Sequence, residues 1–266
     1  MSDIAQCLVW NIDPVVTLGS LSVRWYGILF GLGIILGHHL LSWQMRRGGY
    51  PENADIQLTW VLALGMFIGA FTGHRLFYEW GHVVADPWAT FSPKGPIIGL
   101  SSHGATLGIL LALYVFHRWK RIPFLDLADR ITLGTALVAV FVRLGNLANS
   151  EIVGKITSVP WAFCLPRYDT VGLVPRHPVQ LYEAFIGLVV LGILLWADRR
   201  GGGENRPRGM LTGLFAASYF GLRILAELFK EPLVLSADAP LSMGQLLSIP
   251  FFLVGIVLLS RSMAKR

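Results

Sequence analysis

The sequence predicts an all-α integral membrane protein of seven transmembrane helices, with the N-terminus outside and the C-terminus in the cytoplasm. Three observations predict it. Of the 266 residues, 54% are hydrophobic and only 14% charged, against about 25% charged in an average soluble domain, which leaves too little polar surface to cover a water-soluble globule. Apolar runs recur at the length a bilayer demands, about 20 residues at 1.5 Å each. Lys and Arg cluster on alternate sides of successive runs, and in a membrane protein that placement carries more meaning than the net charge of +6. The basic balance is therefore read as membrane topology and not as affinity for nucleic acid. The same composition excludes a disordered or collagen-like chain. The stretch Met1 to Cys7 lacks the basic start of a signal peptide, so the apolar runs are expected to stay in the mature protein.

The first helix is expected over 21–44, from the charge-free run Trp25 to Met45, and the second over 57–80, from Ile56 to His74. Gly95 to His117 gives the third, at 97–117. The fourth, at 124–145, is less direct: Ile131 to Val142 spans only by extending through Arg143 or back through Arg130 and Asp129. A fifth helix over 178–197 must include Glu183, and a sixth over 209–229 must include Arg223 and Glu227. The seventh, 241–260, comes from the charge-free run Ala239 to Ser260. Arg46/Arg47, Arg118/Lys120/Arg121, Arg199/Arg200/Arg206/Arg208 and Arg261/Lys265/Arg266 then share one face, which the positive-inside rule makes cytoplasmic. The opposite loops hold only Lys94, Lys155, Arg167, Arg176 and Lys230.

The chain reads as one polytopic domain, 1–266, whose longest loop, about 146–177, caps the outer face with Pro160, Pro166 and Pro175. Glycines four apart (Gly27/Gly31, Gly33/Gly37, Gly65/Gly69/Gly73, Gly104/Gly108, Gly209/Gly213) are expected at close helix crossings, where small residues let backbones approach. Cys7 and Cys164 fall on the outer side, where a disulfide is conceivable; two free thiols are the default reading.

A charge at mid-bilayer costs about 2.5–3.5 kcal/mol on insertion scales. In this topology Arg24, Arg75, Glu79, Arg143, Glu183, Arg223 and Glu227 nevertheless gather near the outer end of the helices, with His103 beside them. No comparable group is expected in the inner half. Arg24, Arg75 and Glu79 are read as snorkelling or mutually neutralising. Arg143 and Arg223 demand more, because four arginines exceed three glutamates and a guanidinium suits a bidentate grip on phosphate. An anionic lipid headgroup is the natural ligand for such a site. His103 is the candidate general base, because an imidazole, with a reference pKa of about 6.5, suits proton transfer near neutrality. No spacing of His, Cys or Asp suggests a zinc site, and no Gly-x-Ser-x-Gly elbow appears.

Across the end of the fourth helix runs Val142-Arg-Leu-Gly-Asn-Leu-Ala-Asn-Ser-Glu-Ile-Val-Gly154. It resembles the Arg-x-Gly-Asn-x-x-Asn-x-Glu-x-x-Gly signature of prolipoprotein diacylglyceryl transferases. Arg24-Trp-Tyr-Gly27, Ser102-His-Gly104, His177-Pro-Val-Gln-Leu-Tyr-Glu183, Arg223-Ile-Leu-Ala-Glu227 and Phe229-Lys-Glu-Pro232 resemble the same family, so the likeness spans nearly the whole chain. Val142, Ala105, Leu147 and Val179 depart from the family's usual residues at positions read as packing sites. The resemblance implies transfer of the diacylglyceryl group from phosphatidylglycerol to the lipobox cysteine of a prolipoprotein signal peptide, releasing glycerol 1-phosphate. It implies a bacterial inner membrane with the site towards the outer leaflet, and no metal or diffusible cofactor. Arg143 and Arg223 are then expected to clamp the phosphate and His103 to take the thiol proton, with Glu151 or Tyr26 as other candidate bases. Tyr26, Asn146, Asn149, Glu151, Gly104 and Gly154 would line the substrate site, and Glu183 and Glu227 would hold the arginines. Rival readings are an anion or phospholipid transporter and a non-catalytic envelope scaffold. Transport sites usually sit at the midplane between internal repeats, and neither feature is visible here.

Overall fold

The computed structural model describes residues 7–91, 100–231 and 240–264. Residues 1–6, Lys94, residues 97–99 of the third expected helix, Pro232, Lys265 and Arg266 lie outside them. In chain order the elements are β1 (Leu8–Val9), β2 (Val15–Leu18), β3 (Leu21–Arg24), α1 (Trp25–Arg47), α2 (Ala54–Tyr78), α3 (Trp80–Ala85), α4 (Pro87–Thr90), α5 (Ser102–Lys120), α6 (Phe124–Ala148), β4 (Phe163–Cys164), β5 (Pro175–Arg176), α7 (Val179–Arg200), α8 (Met210–Ala226) and α9 (Met243–Met263). A 3-10 turn, Glu227–Phe229, extends α8. Among the described residues six helices are long and apolar enough to cross a membrane: α1, α2, α6, α7, α8 with its extension, and α9. The third expected helix is present as α5. It starts at Ser102 and its last turn carries Arg118 and Lys120, so its uncharged run falls short of the about 20 residues a bilayer requires.

The described chain divides into two compact units, Ser42–Ala128 and Met1–Leu41 with Asp129–Arg266. In the smaller unit α2 and α5 cross through glycines. A methyl group on Gly69 or Gly104 would strike the other's backbone carbonyl oxygen, and one on Gly65 would lie 2.7 Å from the Gly108 carbonyl oxygen. Only hydrogen at Cα permits that approach, as the glycine spacing suggested. Ser101 caps α5 by accepting the Gly104 N–H at 3.2 Å. Arg75 pairs with Glu79 at 3.1 Å and donates from Nε to the Thr90 carbonyl at 3.0 Å, the mutual neutralisation expected of them.

In the larger unit, Gly33 and Gly37 of α1 admit Phe141 and the Gly134 backbone of α6. By contrast, Gly27 and Gly31 approach no described neighbour. Leu133 and Ala136 of α6, Val190 and Leu194 of α7 and Leu211 of α8 form the core, while Gly213 and Gly255 bring α8 onto α9. Residues 21–24, expected inside the first helix, form a hairpin strand instead. Gly19, at φ +64°, closes a two-residue turn, and Val15 pairs with Arg24. Exposed Arg24 therefore precedes the helix. A second correction concerns the cysteines. Parallel pairing of β1 with β4 sets Leu8 opposite Phe163 and Val9 opposite Cys164, and Cys7 is disulfide-bonded to Cys164.

A third correction concerns the end of the bundle expected to lack comparable polar groups. Where α6 begins and α7 ends, Asp129, Arg130, Asp198 and Arg206 are all buried. Arg206 pairs with Asp198 at 2.8 Å and Arg130 with Glu204 at 2.6 Å. Asp129 accepts from the N–H groups of Gly209 and Thr212, each at 2.8 Å, and from the Thr212 hydroxyl at 2.6 Å. It thus caps α8 from another helix, supplying acceptors to donors that no preceding turn can satisfy. From sequence Asp129 and Arg130 fell within the fourth expected helix and Arg206 within a basic loop; the structure pairs these charges across that end of α6, α7 and α8.

Candidate active site

At the opposite ends of α6, α7 and α8 a second polar cluster is built around one carboxylate. Glu183, in the second turn of α7, is 3% exposed. Its Oε1 accepts from Arg223 Nη1 of α8 at 2.7 Å and from Lys230 Nζ at 3.0 Å, and its Oε2 lies 3.3 Å from Arg143 Nη1 of α6. Lys230 also reaches Glu227 Oε2 at 3.0 Å. Three cations therefore share two buried carboxylates. A cluster of this kind persists only where partners offset the desolvation of each ion.

The signature segment continues the network. Arg143 Nη1 donates to Asn146 Oδ1 at 3.4 Å, and Asn146 and Asn149 donate to the two oxygens of Glu151 at 3.4 and 2.8 Å. The buried Gln180 amide holds the Glu151 carbonyl at 2.7 Å. The Tyr26 ring lies over α6 at Gly145, where a methyl group would come within 2.8 Å of it. Gly154 permits the chain to pass against His177, whose carbonyl oxygen would collide with any side chain there. Gly104 is occupied in the same way by the Gly69 backbone, so both glycines secure close backbone packing. Leu147 and Val179, two of the departures from the family pattern, are buried as packing residues.

The structure thus brings together Arg143, Arg223, Glu183, Glu227, Asn146, Asn149 and Glu151 within the larger unit, with Tyr26 beside them. His103 belongs to the smaller unit, exposed in the first turn of α5, its side chain making no hydrogen bond or ion pair among the described residues. Lys230 is the member missed from sequence, where it counted as a loop cation. Its position three residues after Glu227 was the available signal. Burial pushes its ammonium pKa below the ordinary lysine value, and the neighbouring Glu183 opposes that shift.

Arg143 Nε is buried and makes no hydrogen bond among the described residues. It is a guanidinium donor left unused by the protein, as one aimed at a ligand would be. On the adjoining faces of α7 and α8 lies an apolar cavity of about 650 Å³, lined by Trp161, His177, Tyr182, Phe185, Leu222 and Phe229 among others. Trp161 Nε1 donates to the Tyr182 hydroxyl at 2.8 Å, which lies 3.1 Å from His177 Nδ1. Burial lowers the His177 pKa, favouring the neutral ring.

Outside the helices Arg176 anchors the loop to this cluster. It grips Asp169 through two bonds of 2.7 and 2.8 Å, Glu231 at 2.5 Å and the Gly154 carbonyl at 3.1 Å. Gly154 and Lys230 pair in an isolated antiparallel bridge.

A family profile described as prolipoprotein diacylglyceryl transferase matches residues 14–261. A protein of Tolumonas auensis is 41% identical over 95% of this chain and 96% of its own length. One of Chloroherpeton thalassium is 39% identical over 98% and 96%, and one of Methylococcus capsulatus 38% over 96% and 97%. All three are named phosphatidylglycerol–prolipoprotein diacylglyceryl transferase. The profile match over residues 14–261 and the full-length similarity to these relatives agree: the chain belongs to the prolipoprotein diacylglyceryl transferase family.

Proposed function

We propose that this protein transfers the diacylglyceryl group of phosphatidylglycerol to the lipobox cysteine of a prolipoprotein signal peptide. The observation that carries the reading is the convergence of Arg143 and Arg223, from two helices, on the single carboxylate of Glu183, with Arg143 Nε unused. In the reaction the cysteine sulfur attacks the glycerol C3 carbon, forming a thioether as the C–O bond to phosphate breaks. Glycerol 1-phosphate leaves with the electron pair. Arg143 and Arg223 bind the phosphate and stabilise the charge that develops on it, electrostatic catalysis by donors already in place. A free thiol is only a few per cent ionised near neutrality, so a base accelerates attack. His103 takes that proton. Tyr26, Asn146, Asn149 and Glu151 orient the headgroup, and Glu183 and Glu227 hold the cations.

In this proposal α5 is the seventh crossing, the N-terminus is outside and the C-terminus cytoplasmic. The chain acts as one polytopic domain of a bacterial inner membrane, with the site towards the outer leaflet and no cofactor. The alternation of basic loops supports that orientation. The test is purified protein with phosphatidylglycerol and a lipobox peptide, followed by mass spectrometry. A diacylglyceryl mass increment on cysteine is expected; lipid flux across vesicles without peptide modification would favour a transporter. His103→Gln should lower turnover about 10²–10⁴-fold, the usual contribution of a general base, and remove the limb of the pH–rate profile that reports it. Retained activity with an unchanged profile removes His103 from the role.

A further inference from the structure

Resting on the transferase reading, we propose that Lys230 is a positioning residue whose charge leaves the Arg143–Arg223 pair one positive charge in excess, matched to a phosphodiester. Arg143, Arg223 and Lys230 face the two buried carboxylates Glu183 and Glu227. Glu151 stands exposed at the rim, engaged by the amides of Asn146 and Asn149. The enclosed group therefore carries three positive charges and two negative ones. A phosphodiester, with one negative charge, completes the balance.

Without Lys230 the count is two against two. Each arginine would then be fully compensated by carboxylate, and an incoming phosphate would have to compete for it. Lys230 prevents this by occupying Glu183 Oε1 and Glu227 Oε2, each at 3.0 Å. The backbone aims it there. Glu231 N–H donates to the Val153 carbonyl at 3.1 Å and Lys155 N–H to the Phe229 carbonyl at 2.8 Å, so the Lys230 backbone is bridged to the signature's own Gly154.

The test compares wild type, Lys230→Met, Lys230→Arg and Lys230→Met/Glu227→Gln in the mass-spectrometric assay, with KM measured separately for phosphatidylglycerol and peptide. Losing a charged partner should raise the lipid KM about tenfold or more in Lys230→Met, with peptide KM unchanged. Lys230→Arg should stay within about threefold of wild type, because it keeps the charge. The double variant restores the excess of one positive charge by removing a negative one, and should recover most of the lost lipid affinity. A merely structural lysine predicts no such recovery. Lipid KM unchanged in Lys230→Met, or a double variant no better than the single one, overturns the proposal. If Lys230→Met does not accumulate folded, a double variant that folds yet binds lipid more than about tenfold more weakly than wild type overturns it equally. Wild type that never modifies the peptide would instead sink the transferase reading itself, so the two failures are distinct.

Discussion

Arg143→Ala is expected to abolish thioether formation while the protein still accumulates folded in the membrane. The two halves of that expectation have separate causes. Arg143 meets Glu183 at 3.3 Å and Asn146 at 3.4 Å, both long contacts, and its Nε has no hydrogen-bond partner among the described residues. Glu183 meanwhile keeps closer partners in Arg223 at 2.7 Å and Lys230 at 3.0 Å. Removing Arg143 therefore leaves the buried carboxylate neutralised and the helices held. What disappears is a donor poised for charge that grows on the departing phosphate. Losses of about 10²–10³ accompany removal of a single neutral donor from such a site, and a guanidinium on a transferred phosphoryl group has been worth about 10³–10⁵. The variant should fall at least about a thousandfold in turnover. Mass spectrometry of the peptide, with a melting curve of the purified variant alongside, checks both halves. Full activity would refute the clamp.

The parts of this fold legible in sequence were those fixed by one-dimensional physics. Apolar runs located each long helix to within a few residues, because the length of hydrocarbon to be crossed does not depend on tertiary neighbours. Gly65, Gly69, Gly104 and Gly108 announced the α2–α5 crossing, since close backbone approach has few other solutions. The clustering of Arg143, Glu183 and Arg223 was legible because charges in such runs need partners. The misreadings were choices between local alternatives. Gly19-Ser20 between Val15–Leu18 and Leu21–Arg24 is a two-residue hairpin turn, a signal passed over in favour of extending the helix. Asp129 was read as a flanking charge, although its partners, Gly209 and Thr212, lie 80 residues or more away. Nothing local announces such a cap. The Cys7–Cys164 bond failed for the same reason, at a separation of 157 residues; Lys230 was missed in part, since Glu227 lies three residues before it while Glu183 lies 47 residues away.

Glu183→Ala, in contrast to Arg143→Ala, is expected to damage the fold before it damages the chemistry. The carboxylate is 3% exposed and faces three cations. Deleting it leaves Arg143, Arg223 and Lys230 against Glu227 alone, three positive charges against one in a poorly solvated space. Breaking a buried pair by removing one partner costs about 3–5 kcal/mol, chiefly because the survivors stay desolvated and uncompensated. For a chain of this size that corresponds to a fall in melting temperature on the order of 10 °C, with poor accumulation in the membrane. Glu183→Gln fills the space but not the charge, so it should recover little. Glu183→Asp keeps the charge on a shorter arm and should recover more. Phosphatidylglycerol should raise the melting point of the alanine variant more than it raises that of wild type, because an anionic headgroup replaces the missing carboxylate; a neutral lipid should not. Thermal unfolding in micelles with and without each lipid measures all four. If Glu183→Ala melts with wild type, Glu183 is not the hub that gathers these cations, and the charge balance argued for the site fails with it.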